Sequence, residues 1–451
     1  MKRPVLFCAM MLHMSTHVVL TTFGSFGDLH PYIAIALELQ KRGHRATIAT
    51  SGIYREKIEA LGLRFHAVRP DLPDPQKSAE IIRRVMDLRG GGEYLFREML
   101  MPHLRHSYDD LLSITRDADL LVTHPVTFAA PLVAQKTGVR WVSSVLAPIS
   151  FFSFYDPPVP PSMPELAALY RLGPVARRGL FALMRRITRE WVAPVDDLRR
   201  ELGLSTQTHP LFEGQYSPRC VLALFSSALG ERQRDWPRNT HITGFPFYDR
   251  KGAMKLVGAN EAQGPGENSD GLSPELQEFL DDGPPPLVFT LGSAAVMNAG
   301  LFFRESARAA RRLKQRAVLL VGEASNTPRI LPPNVVAFDY APYSLLFPRT
   351  RAVVHQGGIG TTAQAMRAGV PQLVMPYSHD QPDHAARIVR LGVGRQIARS
   401  RYDALRAMRE LQPLLASHEY SSQARAIGER VRKEDGIGEA CDAIEEQLQA
   451  S

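Results

Sequence analysis

The chain has 451 residues, 44% hydrophobic and 22% charged, with 54 Lys and Arg against 46 Asp and Glu for a formal charge of +8. At roughly 100–200 residues per domain this length calls for two or three domains, and the composition excludes a mostly disordered, collagen-like or coiled-coil chain. The 3 cysteines, Cys8, Cys220 and Cys441, are too far apart for a disulfide framework or a zinc pattern and fit a reducing cytoplasm; no apolar run approaches the roughly 20 residues that span a bilayer.

Residues 1–16 open with Lys2-Arg3 and an apolar run over 5–12, in the manner of a signal peptide, yet no small-x-small cleavage site follows. With Met14 directly before Ser15-Thr16-His17-Val18, this segment reads as an N-terminal extension outside the fold. From His17 the pattern becomes strand, glycine loop, helix, strand. A β-rich apolar run over 18–23 precedes a loop at 24–28. Pro31 suits a first helical position, and Tyr32, Ile35, Ala36 and Leu39 recur at helical spacing up to Gly43. Strands are predicted over 45–50, 64–68, 120–123 and 140–145, with a helix over 54–61. Arginines are dense over 171–200, with Arg177-Arg178, Arg185-Arg186 and Arg199-Arg200 set among leucines and phenylalanines. Such a stretch is either a solvated helical face or an amphipathic face resting on an anionic membrane.

The span 246–286 is rich in Gly, Pro, Asn and Asp from 251 onward and reads as a linker and exposed loop. A second start follows, because Leu287-Val288-Phe289-Thr290-Leu291-Gly292-Ser293 echoes Val19-Leu20-Thr21-Thr22-Phe23-Gly24-Ser25. Further strands are predicted over 317–321, 335–338, 352–354 and 372–375. Alternating strands and helices imply parallel sheets covered on both faces. The expected fold class is therefore α/β, with two doubly wound Rossmann-like domains, over 17–245 and 287–425, facing a central cleft. Ligands in such sheets bind beyond the carboxyl ends of the strands. A helical segment over 426–451 is expected to pack back on the first domain.

The glycine loops narrow the ligand. Gly24-Ser25-Phe26-Gly27-Asp28 lacks the G-x-G-x-x-G spacing of a dinucleotide site, the second strand ends without a carboxylate, and no phosphate-loop motif is present. The dense feature is Val353-Val354-His355-Gln356-Gly357-Gly358-Ile359-Gly360-Thr361-Thr362. Glycines bring backbone N–H groups close to an anion, a helix N-terminus adds positive potential, hydroxyls donate, and His355 adds a donor or a charge. These are the parts of a diphosphate cradle. Asp380-Gln381, 25 residues past His355, suits the vicinal hydroxyls of a sugar.

Taken together, these motifs resemble the inverting, nucleotide-sugar-dependent glycosyltransferases of the UDP-glucosyl/glucuronosyltransferase superfamily, whose fold is called GT-B. The His-x-Gly-Gly-x-Gly-Thr-Thr form is most similar to the bacterial antibiotic and sterol glucosyltransferase branch. Gly24-Ser25-Phe26-Gly27-Asp28-Leu29-His30-Pro31 resembles the family's G-S-x-G-D-x-x-P, and Gly43-His44 its Gly-His. Asp235-Trp236-Pro237, Thr243-Gly244-Phe245-Pro246 and Pro286-Leu287-Val288-Phe289-Thr290 also resemble rhamnolipid-type rhamnosyltransferases. The resemblance extends over nearly the whole chain from His17.

It implies that His355, Gly357, Gly358, Thr361 and Thr362 hold the diphosphate, that Ser293 touches it from the opposing turn, and that Asp380 and Gln381 hold the donor sugar. Tyr340 takes the place of a plant tryptophan that stacks on uracil. Tyr343 replaces the plant glutamine, which leaves uracil and thymine both open. Gln356 stands where the bacterial branch often has histidine, and no phosphate contact is expected of its side chain. Asp28 is the expected general base, His30 the alternative, and His124 a partner for Asp28. The co-substrate is UDP-glucose first and dTDP-rhamnose second, with no other cofactor and no metal: Asp117-Ala118-Asp119 precedes its strand and reads as surface charge. Phe26, Phe151, Phe152 and Phe154 are expected at the acceptor, with Met86 and Tyr94-Leu95-Phe96 adding to that wall. They suit a hydrophobic aglycone or lipid. Nucleic acid is not an expected partner; peripheral contact with the inner face of the membrane stays open as the alternative to a solvated arginine-rich face. The alternatives are a non-catalytic helper of a partner transferase and a nucleotide-sugar epimerase.

Overall fold

Strands buried on both faces need near-continuous apolar runs, and these runs assemble into two all-parallel sheets. The computed structural model describes residues 15–72, 79–160, 163–249 and 271–450. Most of the expected N-terminal extension and residues 250–270 of the expected linker lie outside the described residues. The first sheet contains β1 (His17–Thr21), β2 (Arg45–Thr50), β3 (Arg64–Ala67), β4 (Leu120–Thr123), β5 (Arg140–Val145), β6 (Val221–Ala223) and β7 (Thr240–Ile242). Its order is β3-β2-β1-β4-β5-β6-β7. The second contains β8 (Leu287–Thr290), β9 (Ala317–Leu320), β10 (Val335–Phe338), β11 (Ala352–His355), β12 (Gln372–Val374) and β13 (Gly394–Gln396), in the order β10-β9-β8-β11-β12-β13. Sequence patterning misses the three-residue strands β6, β7 and β13.

Register follows from the central strands. Val18 of β1 faces Ala46 on one side and Leu120 on the other, and Phe289 of β8 lies between Leu319 and Val354. Asp119 accepts from the His17 N–H at 2.7 Å, and Asp117 pairs with Arg45 at 2.9 Å. Both carboxylates therefore lie at the amino ends of the strands, away from the cleft. The helix after β1, Phe26–Lys41, starts five residues before Pro31 because Ser25 and Asp28 form a reciprocal cap that outweighs the proline signal.

The two lobes share an apolar seam. Val145, Phe151, Phe225 and Trp236 of the first pack with Ala363, Met366, Ile388 and Val431 of the second. Helix His418–Arg432 belongs to that seam, whereas Gly436–Gln449 crosses to the first lobe. There Ala440, Cys441, Ala443 and Ile444 join the core of Val18, Leu20, Ile33 and Ile48. Arg42 reaches Asp442 at 2.5 Å and Glu445 at 2.9 Å beside them.

Candidate active site

Each sheet order reverses once, between β1 and β4 in the first and between β8 and β11 in the second. Loops leaving neighbouring strands diverge at such points and open a crevice. Here the two crevices face one another across a cavity of about 950 Å³ lined by both lobes.

On the first lobe, Gly24 has φ +136°, and a Cβ there would stand 2.2 Å from Asp28 Oδ2. Only glycine lets the carboxylate fold back over the turn. Asp28 Oδ2 accepts from the Ser25 N–H at 2.8 Å, and Ser25 Oγ accepts from the Gly27 N–H at 3.2 Å. The other oxygen, Oδ1, lies 3.5 Å from Nε2 of buried His124, which follows β4. His124 Nδ1 accepts from the Val126 N–H at 3.4 Å. In the neutral ring this leaves the proton on Nε2, the nitrogen nearer Asp28. His30 stacks on Phe26 at 5.2 Å, and both line the cleft.

On the second lobe, helix Ile359–Ala368 begins at Gly358 with no side-chain cap, so its first amides stay open toward the cavity. Behind them two buried imidazoles hold the turn. The Gly357 N–H donates to His355 Nδ1 at 3.0 Å, and the Gly357 carbonyl accepts from His384 Nδ1 at 2.8 Å. His355 Nε2 donates to Gln372 Oε1 at 2.9 Å. Burial, the largest influence, pushes the His355 pKa down to about 4, so the ring is neutral near pH 7. Gln356 reaches forward between Gly292 and Gly358, buried, with Oε1 unpartnered among the described residues. The Tyr343 hydroxyl hydrogen-bonds Thr290 Oγ1 at 2.8 Å, and both Thr361 and, in the turn after β8, Ser293 line the cavity.

After β12 come Asp380 and Gln381. Gln381 Oε1 accepts from the Tyr377 and Ser378 N–H groups at 2.9 and 3.3 Å, which fixes its amide at the cleft wall. Burial raises the Asp380 pKa; the Asp28 carboxylate across the cleft adds to that, while His384 and His379 oppose it. Tyr340 donates to Asp249 Oδ1 at 3.1 Å, and Asp249 Oδ2 accepts from the Ser344 N–H at 2.6 Å. Chemically, one wall offers a carboxylate backed by an imidazole, and the other an amide-lined anion site.

Comparison with known proteins agrees with this geometry. A model described as the glycosyltransferase family 28 N-terminal domain matches residues 18–108. One described as the erythromycin biosynthesis protein CIII-like C-terminal domain matches 309–440. The chain is 33% identical over 449 residues to O-mycaminosyltylonolide 6-deoxyallosyltransferase of Streptomyces fradiae, covering 95% of this chain and 97% of that one. The chain belongs to the nucleotide-sugar-dependent glycosyltransferases of the UDP-glucosyl/glucuronosyltransferase superfamily. Sterol 3-beta-glucosyltransferase of Neosartorya fischeri is 28% identical over 96% of this chain, which spans 30% of that protein. In structure, the glycosyltransferase superposes on spinosyn rhamnosyltransferase SpnG complexed with thymidine diphosphate with a TM-score of 0.64 at 17% identity, over 95% of this chain and 100% of that one. This supports the GT-B fold.

The glycosyltransferase brings most of its expected site residues to the cavity: Asp28, His30 and His124; Ser293, Tyr340, Gly358, Thr361, Asp380 and Gln381; Phe26 and Phe152. Six expected residues lie elsewhere. His355 and Gly357 lie behind the cradle, and His355 is fully buried with both ring nitrogens engaged inside the lobe. Thr362 is fully buried and turned from the cleft, its N–H donating to Gly358 O at 2.9 Å. Phe151 stacks on Trp236 at 4.0 Å in the seam between lobes, and Phe154 packs toward Tyr155 and Phe181. Of the adjoining stretch, Met86, Leu95 and Phe96 line the cavity, whereas Tyr94 lies under Arg84. Sequence reasoning missed Gln356, His384 and Asp249. The first two sit next to and four residues beyond recognised motif positions, but nothing in the chain signals the last.

Proposed function

We propose that this glycosyltransferase is inverting and metal-independent, moving a hexose from a nucleoside diphosphate sugar to a hydroxyl of a lipophilic acceptor. The carrying observation is that the Asp28–His124 pair and the open helix start at Gly358 share one cavity whose remaining wall is apolar, with Met86, Phe96, Phe152, Met184, Ile187 and Trp191. Asp28 takes the proton of the acceptor hydroxyl as its oxygen attacks the anomeric carbon. The bond to the diphosphate breaks with its electron pair on the leaving oxygen, and a single displacement inverts the centre. Amides at 358–361, with Thr361, Ser293 and Gln356, stabilise the phosphate charge. This supplies what a metal would otherwise neutralise. Asp380 and Gln381 hold the sugar, and Tyr340 stacks on the base.

Motif resemblance favours UDP-glucose, and the 6-deoxyallosyl group in the name of the Streptomyces relative favours a dTDP-deoxyhexose. A thermal-shift panel of UDP-glucose and dTDP-rhamnose separates them, because binding to the native state raises Tm with affinity. Acceptor-dependent release of nucleoside diphosphate then tests the reaction. A helper protein releases none, and an epimerase needs no acceptor.

The acceptor wall has an outer face suited to a membrane. Helix Pro174–Trp191 turns Met184, Ile187 and Trp191 inward. Outward it shows Val175 and Leu183, beside Leu172 on the preceding turn. Arg171, Arg178 and Arg186 flank them and enter no ion pair among the described residues. Among those residues no helix is long and apolar enough to cross a membrane. This arrangement supports peripheral contact with an anionic inner leaflet from the cytoplasm, read by co-sedimentation with phosphatidylglycerol against phosphatidylcholine vesicles.

A further inference from the structure

The short helix after β10, Tyr343–Leu346, begins behind Pro342, a residue with no side-chain acceptor for the first amides. Aspartate, asparagine, serine or threonine normally fills that place and accepts from the second or third N–H. Here the acceptor stands 95 positions earlier in the chain, where Asp249 Oδ2 takes the Ser344 N–H at 2.6 Å. The other oxygen takes the Tyr340 hydroxyl at 3.1 Å, and Gln364 Nε2, on the helix that opens at Gly358, lies 3.5 Å from Oδ2. One carboxylate thus meets three separate segments of the second lobe. Asp249, Tyr340, Tyr343 and Gln364 all line the cavity.

The chain that carries Asp249 is itself held on both sides. Tyr248 meets the His30 ring edge-on at 5.2 Å and packs against the core of the first lobe. Phe247 packs on the seam between lobes, with the Arg367 guanidinium 4.6 Å above its ring. Capping a helix of four residues needs one carboxylate oxygen. The second goes to Tyr340, the ring read above as the platform for the base. A tyrosine whose hydroxyl is already held keeps its ring in one orientation, so less side-chain freedom is lost when a ligand stacks on it.

We propose that Asp249 is a positioning residue for the nucleoside of the donor: from the chain leaving the first lobe, it fixes the Tyr340 ring and the turn at 343–346 before the nucleotide enters. This rests on the role given above to Tyr340. The test measures UDP and dTDP affinity by calorimetry, together with donor kinetics, in Asp249→Ala, Tyr340→Phe and the double variant. Asp249→Ala should weaken the tighter-binding nucleotide about five- to ten-fold, and Tyr340→Phe, which keeps the ring and loses the hydroxyl, about three-fold or more. The double variant should lie within about two-fold of Asp249→Ala, because both changes delete the same hydrogen bond. Donor KM should rise by more than kcat falls. Unchanged nucleotide affinity in Asp249→Ala, losses that multiply in the double variant, or a loss confined to kcat overturns the proposal. If the unsubstituted protein binds neither nucleotide, the reading of the site fails instead. Amide exchange over residues 340–346 in Asp249→Ala then still decides the tie: quickened exchange supports it, and unchanged exchange overturns it.

Discussion

Asp28 serves two structures at once, capping its helix through Oδ2 and presenting Oδ1 beside His124. Asp28→Asn keeps an acceptor for the Ser25 N–H, so its stability should change by less than about 0.5 kcal/mol. Removing a general base costs about 10²–10⁴-fold, and kcat should fall by that order while nucleotide affinity, measured by calorimetry, stays unchanged. His355 gives a second residue-level expectation. Its folded pKa of about 4 lies below the ordinary 6.5, so the unfolded chain binds the extra proton first as pH falls. The stability it contributes is complete above about 6.5 and is lost progressively down to about 4, by up to about 3 kcal/mol. Tm measured across this window should fall less steeply in His355→Gln, which has no titrating ring. At this scale the motif singles out His355, but not which way its ring faces. That direction follows from the φ of +89° at Gly357 and from the acceptor at Gln372, 17 residues away.

The elements sort adjacent residues into different tasks. Phe151 and Phe152 are neighbours in a loop after β5, and local sequence makes them equivalent. The left-handed turn at Phe152 sends one ring to the seam and leaves the other against Phe212 at the cavity. Phe151→Ala should cost about 3–5 kcal/mol in urea unfolding, as expected for emptying a packed aromatic site. Phe152→Ala should lose less stability and raise the acceptor KM in steady-state assays. A propensity argument gives no access to this division, because it depends on Trp236, 85 positions further on. The strands themselves were legible: the predicted runs over 45–50, 120–123 and 140–145 coincide with β2, β4 and β5.

Across the whole molecule, the lobes are locked by a buried ion cluster as well as by the seam. Arg387, on the helix that Gln381 begins, is 2% exposed; its guanidinium meets Asp383 at 2.7 Å and Asp156 of the first lobe at 2.6 Å, and donates to Leu229 O at 3.2 Å. Replacing it with methionine strands the Asp383 carboxylate away from water, while Asp156 keeps Arg390 at 3.1 Å. Breaking a buried pair in this way costs about 3–5 kcal/mol. Urea unfolding of Arg387→Met should show that loss, and restoring a salt to the buffer should not recover it, since screening acts weakly on buried charge.

The chain alone determined what local rules reach: the alternation of strand and helix, the glycine turns at the carboxyl ends of strands, and thereby a cradle opposite an acid. Turn chemistry and apolar period act over fewer than about ten residues, so they are written in contiguous sequence. Only the tertiary structure decided that Asp28 meets His124, that Gln356 and not His355 faces the cavity, and that Arg387 bridges the lobes. Those contacts join positions as far as 231 residues apart, from Asp156 to Arg387. They depend on where packing turns each side chain after its backbone is already placed, and no periodicity in the sequence carries that direction.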